Sequence, residues 1–156
     1  MLRSDALACE GATWLEEPIR HDHVAGNARI AATGKIPLQL GENFNGVETM
    51  AAVLEARACN LVMPDLARIG GITGWIDAAG LASARGIPMS SHLFPEVSAH
   101  LFAVTPTAHF LEYVDWAAPI LERPLEVSDG QARPSERPGS GLDWNEDAVA
   151  RFAPES

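Results

Sequence analysis

The 156-residue sequence predicts an α/β fold, a partial parallel (β/α)₈ barrel of about five βα units. Five apolar runs, Trp14-Leu-Glu-Glu-Pro18, Pro37-Leu-Gln-Leu-Gly-Glu-Asn43, Leu61-Val-Met-Pro-Asp65, Ile87-Pro-Met-Ser-Ser-His92 and Phe110-Leu-Glu112, each end in a carboxylate or an imidazole. They recur about every two dozen residues, which leaves room for a helix between successive strands, and barrel chemistry sits at strand C-termini. A complete barrel takes ~200 residues or more, so five units are what this length accommodates.

Along the chain, Met1 to Gly11 reads as the end of a helix, with Leu2, Ala6, Leu7 and Ala8 as its apolar residues and Gly11 as its stop. After the first two strands, Val47 to Ala58 carries Met50, Val53 and Leu54 at helical spacing. After the third, Gly74 to Arg85 carries Trp75, Ile76, Ala79, Leu81 and Ala82 and stops at Gly86. Residues 97–104 make a shorter helix ended by Pro106. From Trp116 the pattern changes. Residues 1–116 read as the barrel part and 117–156 as a proline-rich tail, with turn signals at Ser128-Asp-Gly130 and Pro138-Gly-Ser-Gly141 and a short terminal helix over 143–152.

Eleven Lys and Arg against 21 Asp and Glu give a formal charge of −10, which argues against binding nucleic acid through its phosphates and suits a cation. Cys9 and Cys59 form no CxxC pair, no segment resembles a signal peptide, and no apolar run nears the ~20 residues of a membrane span. Two reduced thiols in a cytoplasmic protein are the expectation. A five-strand arc has two unpaired edges, so self-association or a partner that supplies the missing half is also expected.

The runs WLEEP, LGENF, MPDLARIGGITGW, IPMSSHLFPEVSAHL and TPTAHFLE, in this order, resemble the C-terminal barrel half of the mandelate racemase branch of the enolase superfamily. The resemblance runs from Trp14 to about Trp144. It implies an N-terminal capping domain, a Lys-x-Lys strand and a strand ending in a metal-binding Asp that this sequence does not contain. It also implies Mg²⁺ as cofactor and a small-molecule carboxylate as substrate.

By this resemblance, Glu16 and Glu42 are metal ligands; hard cations take carboxylate oxygens, with waters and substrate oxygens completing an octahedron. His92 matches the general base and Asp65 the carboxylate that fixes its tautomer, a task suited to an imidazole that exchanges protons near neutrality. Glu112 matches the acid that hydrogen-bonds a substrate carboxylate oxygen as charge builds on it, a role favoured by burial near other carboxylates. Glu17 reads as a supporting or structural acid.

Other residues carry weaker signals. His21-Asp-His23 has the look of a metal clip but sits in a polar stretch where solvated side chains are the ordinary outcome. Ile69-Gly-Gly-Ile-Thr-Gly74 lacks the spacing of a phosphate loop, and its glycines fit a tight strand-to-helix turn. His100 and His109 show no ligand spacing. Arg68 stands where mandelate racemase itself has Lys, a change that keeps charge but not geometry.

The function these readings imply is removal of the proton α to a carboxylate, leading to racemisation of a 2-hydroxy acid or dehydration of a sugar acid. With two of three metal ligands and no Lys-x-Lys strand, the chain is expected to be a fragment of such an enzyme and inactive alone. The alternatives are a half-barrel completed by a partner chain and a non-catalytic barrel remnant.

Overall fold

A computed structural model describes residues 3–152. Helix α1 (Arg3–Cys9) leads into strand β1 (Leu15–Glu16), helix α2 (Val24–Thr33), strand β2 (Leu38–Leu40), helix α3 (Val47–Glu55) and strand β3 (Leu61–Val62). Helices α4 (Gly71–Arg85) and α5 (Pro95–Phe102) follow. The tail holds a 3₁₀ turn (Ala118–Ile120), strands β4 (Glu126–Ser128) and β5 (Gln131–Arg133), and helix α6 (Glu146–Arg151).

The sheet runs β1-β2-β3, all parallel, with Leu15 opposite Leu38 and Gln39 opposite Leu61. Two further extended segments continue it through parallel bridges between Val62 and Met89, Asp65 and His92, and Met89 and Ala108. Their ladder bonds include Ser90 N–H to the Val62 carbonyl at 2.8 Å and His109 N–H to the Met89 carbonyl at 2.9 Å. The result is the expected five-stranded parallel arc. Among the described residues, β1 and the segment 107–112 pair on one side only.

Alternation along the strands sorts the two faces of the arc. Leu38, Leu40, Val62 and Met89 point outward and are almost fully buried against Met50, Val53, Trp75 and Ala79 of α3 and α4. Each such side chain contributes about 1.5–3 kcal/mol by leaving water. Gln39, Met63, Ser90 and His109 occupy the intervening positions, on the concave side.

Helix α3 follows the expected pattern. Helices α4 and α5 begin three and two residues earlier than the apolar spacing indicated, because Gly70 and Gly71 (φ 109° and 69°) make the turn into α4 and Pro95 starts α5. Gly86 closes α4 in the left-handed conformation, its N–H meeting the Ala82 and Ser83 carbonyls. Leu2 lies outside the described residues.

Two elements were not foreseen. Helix α2 contains Gly26 and Asn27, poor helix formers, yet a Cβ at Gly26 would lie 2.7 Å from the side chains of His23 and Ile19. Asn27 is fully buried and donates to the Arg20 carbonyl at 3.1 Å. Packing selects this helix over propensity. In the tail, Asp129-Gly130 is the turn of a hairpin whose strands pair Glu126 with Arg133 and Ser128 with Gln131, where only turns were expected. Among the described residues no helix is long and apolar enough to cross a membrane.

Candidate functional site

Parallel strands deliver their C-terminal residues to one end of the arc, and three of the five motif residues there, Glu42, Asp65 and His92, contact one another directly. Asp65 is the most constrained. Its Oδ1 accepts the Ala67 and Arg68 N–H groups at 2.9 and 3.0 Å, and its Oδ2 accepts from His92 Nδ1 at 2.9 Å. Asp65 is buried at 4% exposure, so this carboxylate has little freedom to turn. A carboxylate acceptor fixes the His92 proton on Nδ1, which leaves Nε2 to face Glu42 Oε2 at 3.5 Å.

Glu42 is held from its other oxygen. Asn43 Nδ2 donates to Glu42 Oε1 and to Glu17 Oε2, both at 3.0 Å, while Glu17 Oε1 accepts the Gly41 N–H at 3.3 Å. Arg68 Nη1 closes the group by donating to the Glu42 carbonyl at 2.9 Å and to Asn43 Oδ1 at 2.5 Å. Glu17 sits at a positive φ of 34°, uncommon for a residue with a side chain, and both its oxygens are engaged.

Glu16 connects to the concave face of the arc. Its Oε2 accepts Trp14 Nε1 at 3.2 Å and Gln39 Nε2 at 3.0 Å. Gln39 is fully buried; its Oε1 accepts from Ser90 Oγ at 3.3 Å, and Ser90 Oγ lies 3.2 Å from His109 Nδ1. Trp14 reaches across the open side to Phe110, ring centroids 5.4 Å apart. A cavity of about 220 Å³ lies between them, lined by Glu16, Gln39, Met63, Ser90, Phe110 and Glu112 among others.

Glu112 faces the loop after His92. Its Oε2 accepts the Leu93 N–H at 2.7 Å, and its own N–H donates to Ser91 Oγ at 3.0 Å. Leu93 and Phe94 both adopt left-handed φ, 50° and 47°, a strained pair that this carboxylate holds in place.

A divalent cation suits part of this donor set. Glu16 is engaged through Oε2, and Glu42 Oε2 faces only His92 Nε2 at 3.5 Å, so two neighbouring strand ends each present one carboxylate oxygen that accepts no amide or indole N–H among the described residues. No group of three His, Cys, Asp or Glu among the described residues is arranged to hold a metal. The His21-Asp22-His23 run is exposed, and Asp22 is committed to Arg20 at 2.6 Å, which holds the Asp22 carboxyl below its ordinary range.

Several residues of this region were not legible beforehand. Asn43, Gln39 and Ser90 act through partners 19 to 51 residues away or in neighbouring turns, and the only advance signal was their place inside the motif strands.

A family model described as enolase C-terminal domain-like matches residues 3–148, which includes most of the tail. The structure of enolase from Bradyrhizobium complexed with magnesium and mandelic acid superposes with a TM-score of 0.93 at 48% identity, covering 96% of this chain and 41% of that one. The structure of an enolase from alpha pretobacterium bal199 with bound Mg gives the same TM-score and coverages at 51% identity. The L-talarate/galactarate dehydratase of Salmonella typhimurium is 32% identical over 135 residues, 86% of this chain and 34% of the relative. The chain thus spans 34–41% of the length of these proteins.

Proposed function

This chain belongs to the enolase C-terminal domain-like family, and from that membership we propose that it carries part of a site that removes the proton α to a carboxylate. His92 Nε2 is the base in this reading. Asp65 holds the imidazole with Nδ1 protonated and Nε2 open, and this clamped pair at 2.9 Å is the observation that carries the proposal. His92 takes the proton from Cα, and the C–H electron pair passes into the substrate carboxylate as an enediolate. Glu112 keeps Oε1 for a hydrogen bond to a substrate carboxylate oxygen, through a proton that one of the two must carry.

Glu16 Oε1 and Glu42 Oε2 would hold Mg²⁺, the ion present in the Bradyrhizobium and bal199 structures. When bound, the cation supplies the positive charge that stabilises the developing dianion. The substrate class that fits is a 2-hydroxy carboxylic acid. With a hydroxyl on the β carbon, His92 returns its proton to that leaving group and water departs, which is dehydration. With a second base on the opposite face, the same first step gives racemisation.

The test is a chimera in which residues 14–116 replace the matching segment of the Salmonella dehydratase. Incubated with galactarate and Mg²⁺ in D₂O, it should exchange the α proton or dehydrate the acid, and His92→Asn should abolish both. A chimera that unfolds cooperatively yet does neither refutes the proposal and favours the barrel-remnant reading.

The absence of a three-ligand cluster among the described residues favours a site completed from elsewhere. The two singly paired edges and the exposed Phe110, Tyr113 and Trp116 favour association with a second copy or with a chain that provides the missing strands. Light scattering should show species above the monomer mass. A monodisperse monomer that binds no hydrophobic dye contradicts this.

A further inference from the structure

We propose that Asn43, oriented by Arg68, is a positioning residue that selects which oxygen of Glu42 faces the centre of the site. The proposal rests on the reading of Glu42 as a cation ligand and extends it to residues with no assigned role. An asparagine amide presents either its nitrogen or its oxygen to a neighbour, and the two choices have opposite consequences beside carboxylates. Nitrogen toward Glu17 and Glu42 gives two hydrogen bonds of 3.0 Å; oxygen there would set lone pairs against two anions. Arg68 removes the ambiguity, because a guanidinium N–H can only be met by the amide oxygen.

Once oriented, the amide occupies Glu42 Oε1 and leaves Oε2 toward His92 Nε2. The strut spans three strand ends: Glu17 follows β1, Asn43 follows β2 and Arg68 follows β3. It also accounts for the strained backbone at Glu17, whose two oxygens bind the β2 end through Gly41 N–H and Asn43. Groups that hold a metal ligand in orientation typically matter 10–100-fold to metal affinity.

Mn²⁺ binding, followed by electron paramagnetic resonance, separates this role from plain electrostatics. Arg68 is a cation beside a cation site, so if it acted only through charge, Arg68→Ala would tighten Mn²⁺ binding. The strut requires the reverse: Arg68→Ala and Asn43→Ala each weaken binding about tenfold or more, and the double variant weakens it no further than Asn43→Ala alone. Unchanged or tighter binding in Arg68→Ala overturns the proposal, as does full additivity.

A second measurement decides without metal. In ¹⁵N-resolved NMR the Asn43 side-chain amide protons should exchange slowly with water and move to solvated values in Arg68→Ala. If wild type binds no Mn²⁺, the metal reading of Glu42 fails, and the strut stands or falls on that amide spectrum alone. Should Asn43→Ala not fold, Arg68→Ala carries both measurements, since Arg68 is exposed and supports no core contact.

Discussion

Replacing Gly41 by alanine should destabilise the chain more than any other single methyl added at a strand end. Gly41 lies where β2 runs into the Glu42 loop, at φ 152°, a conformation that residues with a side chain rarely adopt. A Cβ built there falls 2.6 Å from both N and C of Met63 and 2.7 Å from its carbonyl oxygen. Ordinary contact begins at 3.4 Å, so β2 and β3 must part by about 0.8 Å. No side chain can swing aside, because the obstructing atoms are backbone, and the Met63 N–H to Leu40 carbonyl bond of 2.9 Å lies in the way. Overpacking costs roughly 1–3 kcal/mol. The unfavourable φ adds about 1–3 kcal/mol. The expected loss is therefore about 2–6 kcal/mol, read by urea unfolding of the tryptophan fluorescence and worth ~2–4 °C of Tm per kcal/mol at this size. Gly80→Ala is the control. Gly80 is an exposed position in α4 with nothing within 4 Å of its Cβ, so the same chemical change should stabilise by about 0.5–1 kcal/mol. Gly41→Ala within 0.5 kcal/mol of wild type would refute the close approach of β2 and β3.

Burial pushes the Cys59 thiol up to about 12, so a thiol reagent at pH 8 should label the exposed Cys9 in the native protein and reach Cys59 only on unfolding. The raised value has a sign: below the unfolded thiol's pKa its contribution to stability is complete, and from about pH 9 upward stability falls as the unfolded chain alone loses the proton. Cys59→Ala should remove that alkaline loss, and an unchanged slope would show that other groups cause it. Asp65→Asn keeps an acceptor for the Ala67 and Arg68 N–H groups but turns an amide N–H toward His92 Nδ1. The imidazole proton should move to Nε2, seen in the ring ¹⁵N shifts, with folding stability changed by less than about 1.5 kcal/mol. A wild-type tautomer in that variant would mean that Asp65 does not set it.

The arc itself was legible because five apolar runs, each closing near a carboxylate or imidazole such as Glu42, Asp65 or His92, recur about every two dozen residues. Helices α3 and α4 were equally legible from their apolar stripes. Helix α2 was not, since Gly26 and Asn27 are chosen by what they touch, Ile19, His23 and the Arg20 carbonyl, and only the folded chain brings those close. The hairpin in the tail was hidden because Glu126–Ser128 and Gln131–Arg133 are mostly exposed on both faces and show no alternation. Of the candidate site, the residue types and their strand-end positions were readable from the motifs. What orients them was not: Asn43 between two acids, Arg68 above it and Glu112 under the Leu93 turn depend on register between strands, which local pattern does not encode.

The row of side chains on the concave face has a direction. Gln39 Nε2 donates to Glu16, so its Oε1 must receive, and Ser90 Oγ supplies that proton. Having given its hydrogen away, the serine oxygen can only accept from His109, which requires the His109 proton on Nδ1. Every donor from the segment 107–112 back to β1 therefore points the same way, and the row behaves as a one-way wire ending on the Glu16 carboxylate. The His109 ring, whose centroid also lies 5.8 Å from that of Trp14, the residue before β1, is thus tied to Glu16 by two routes, through this row and through the indole that donates to the same carboxylate.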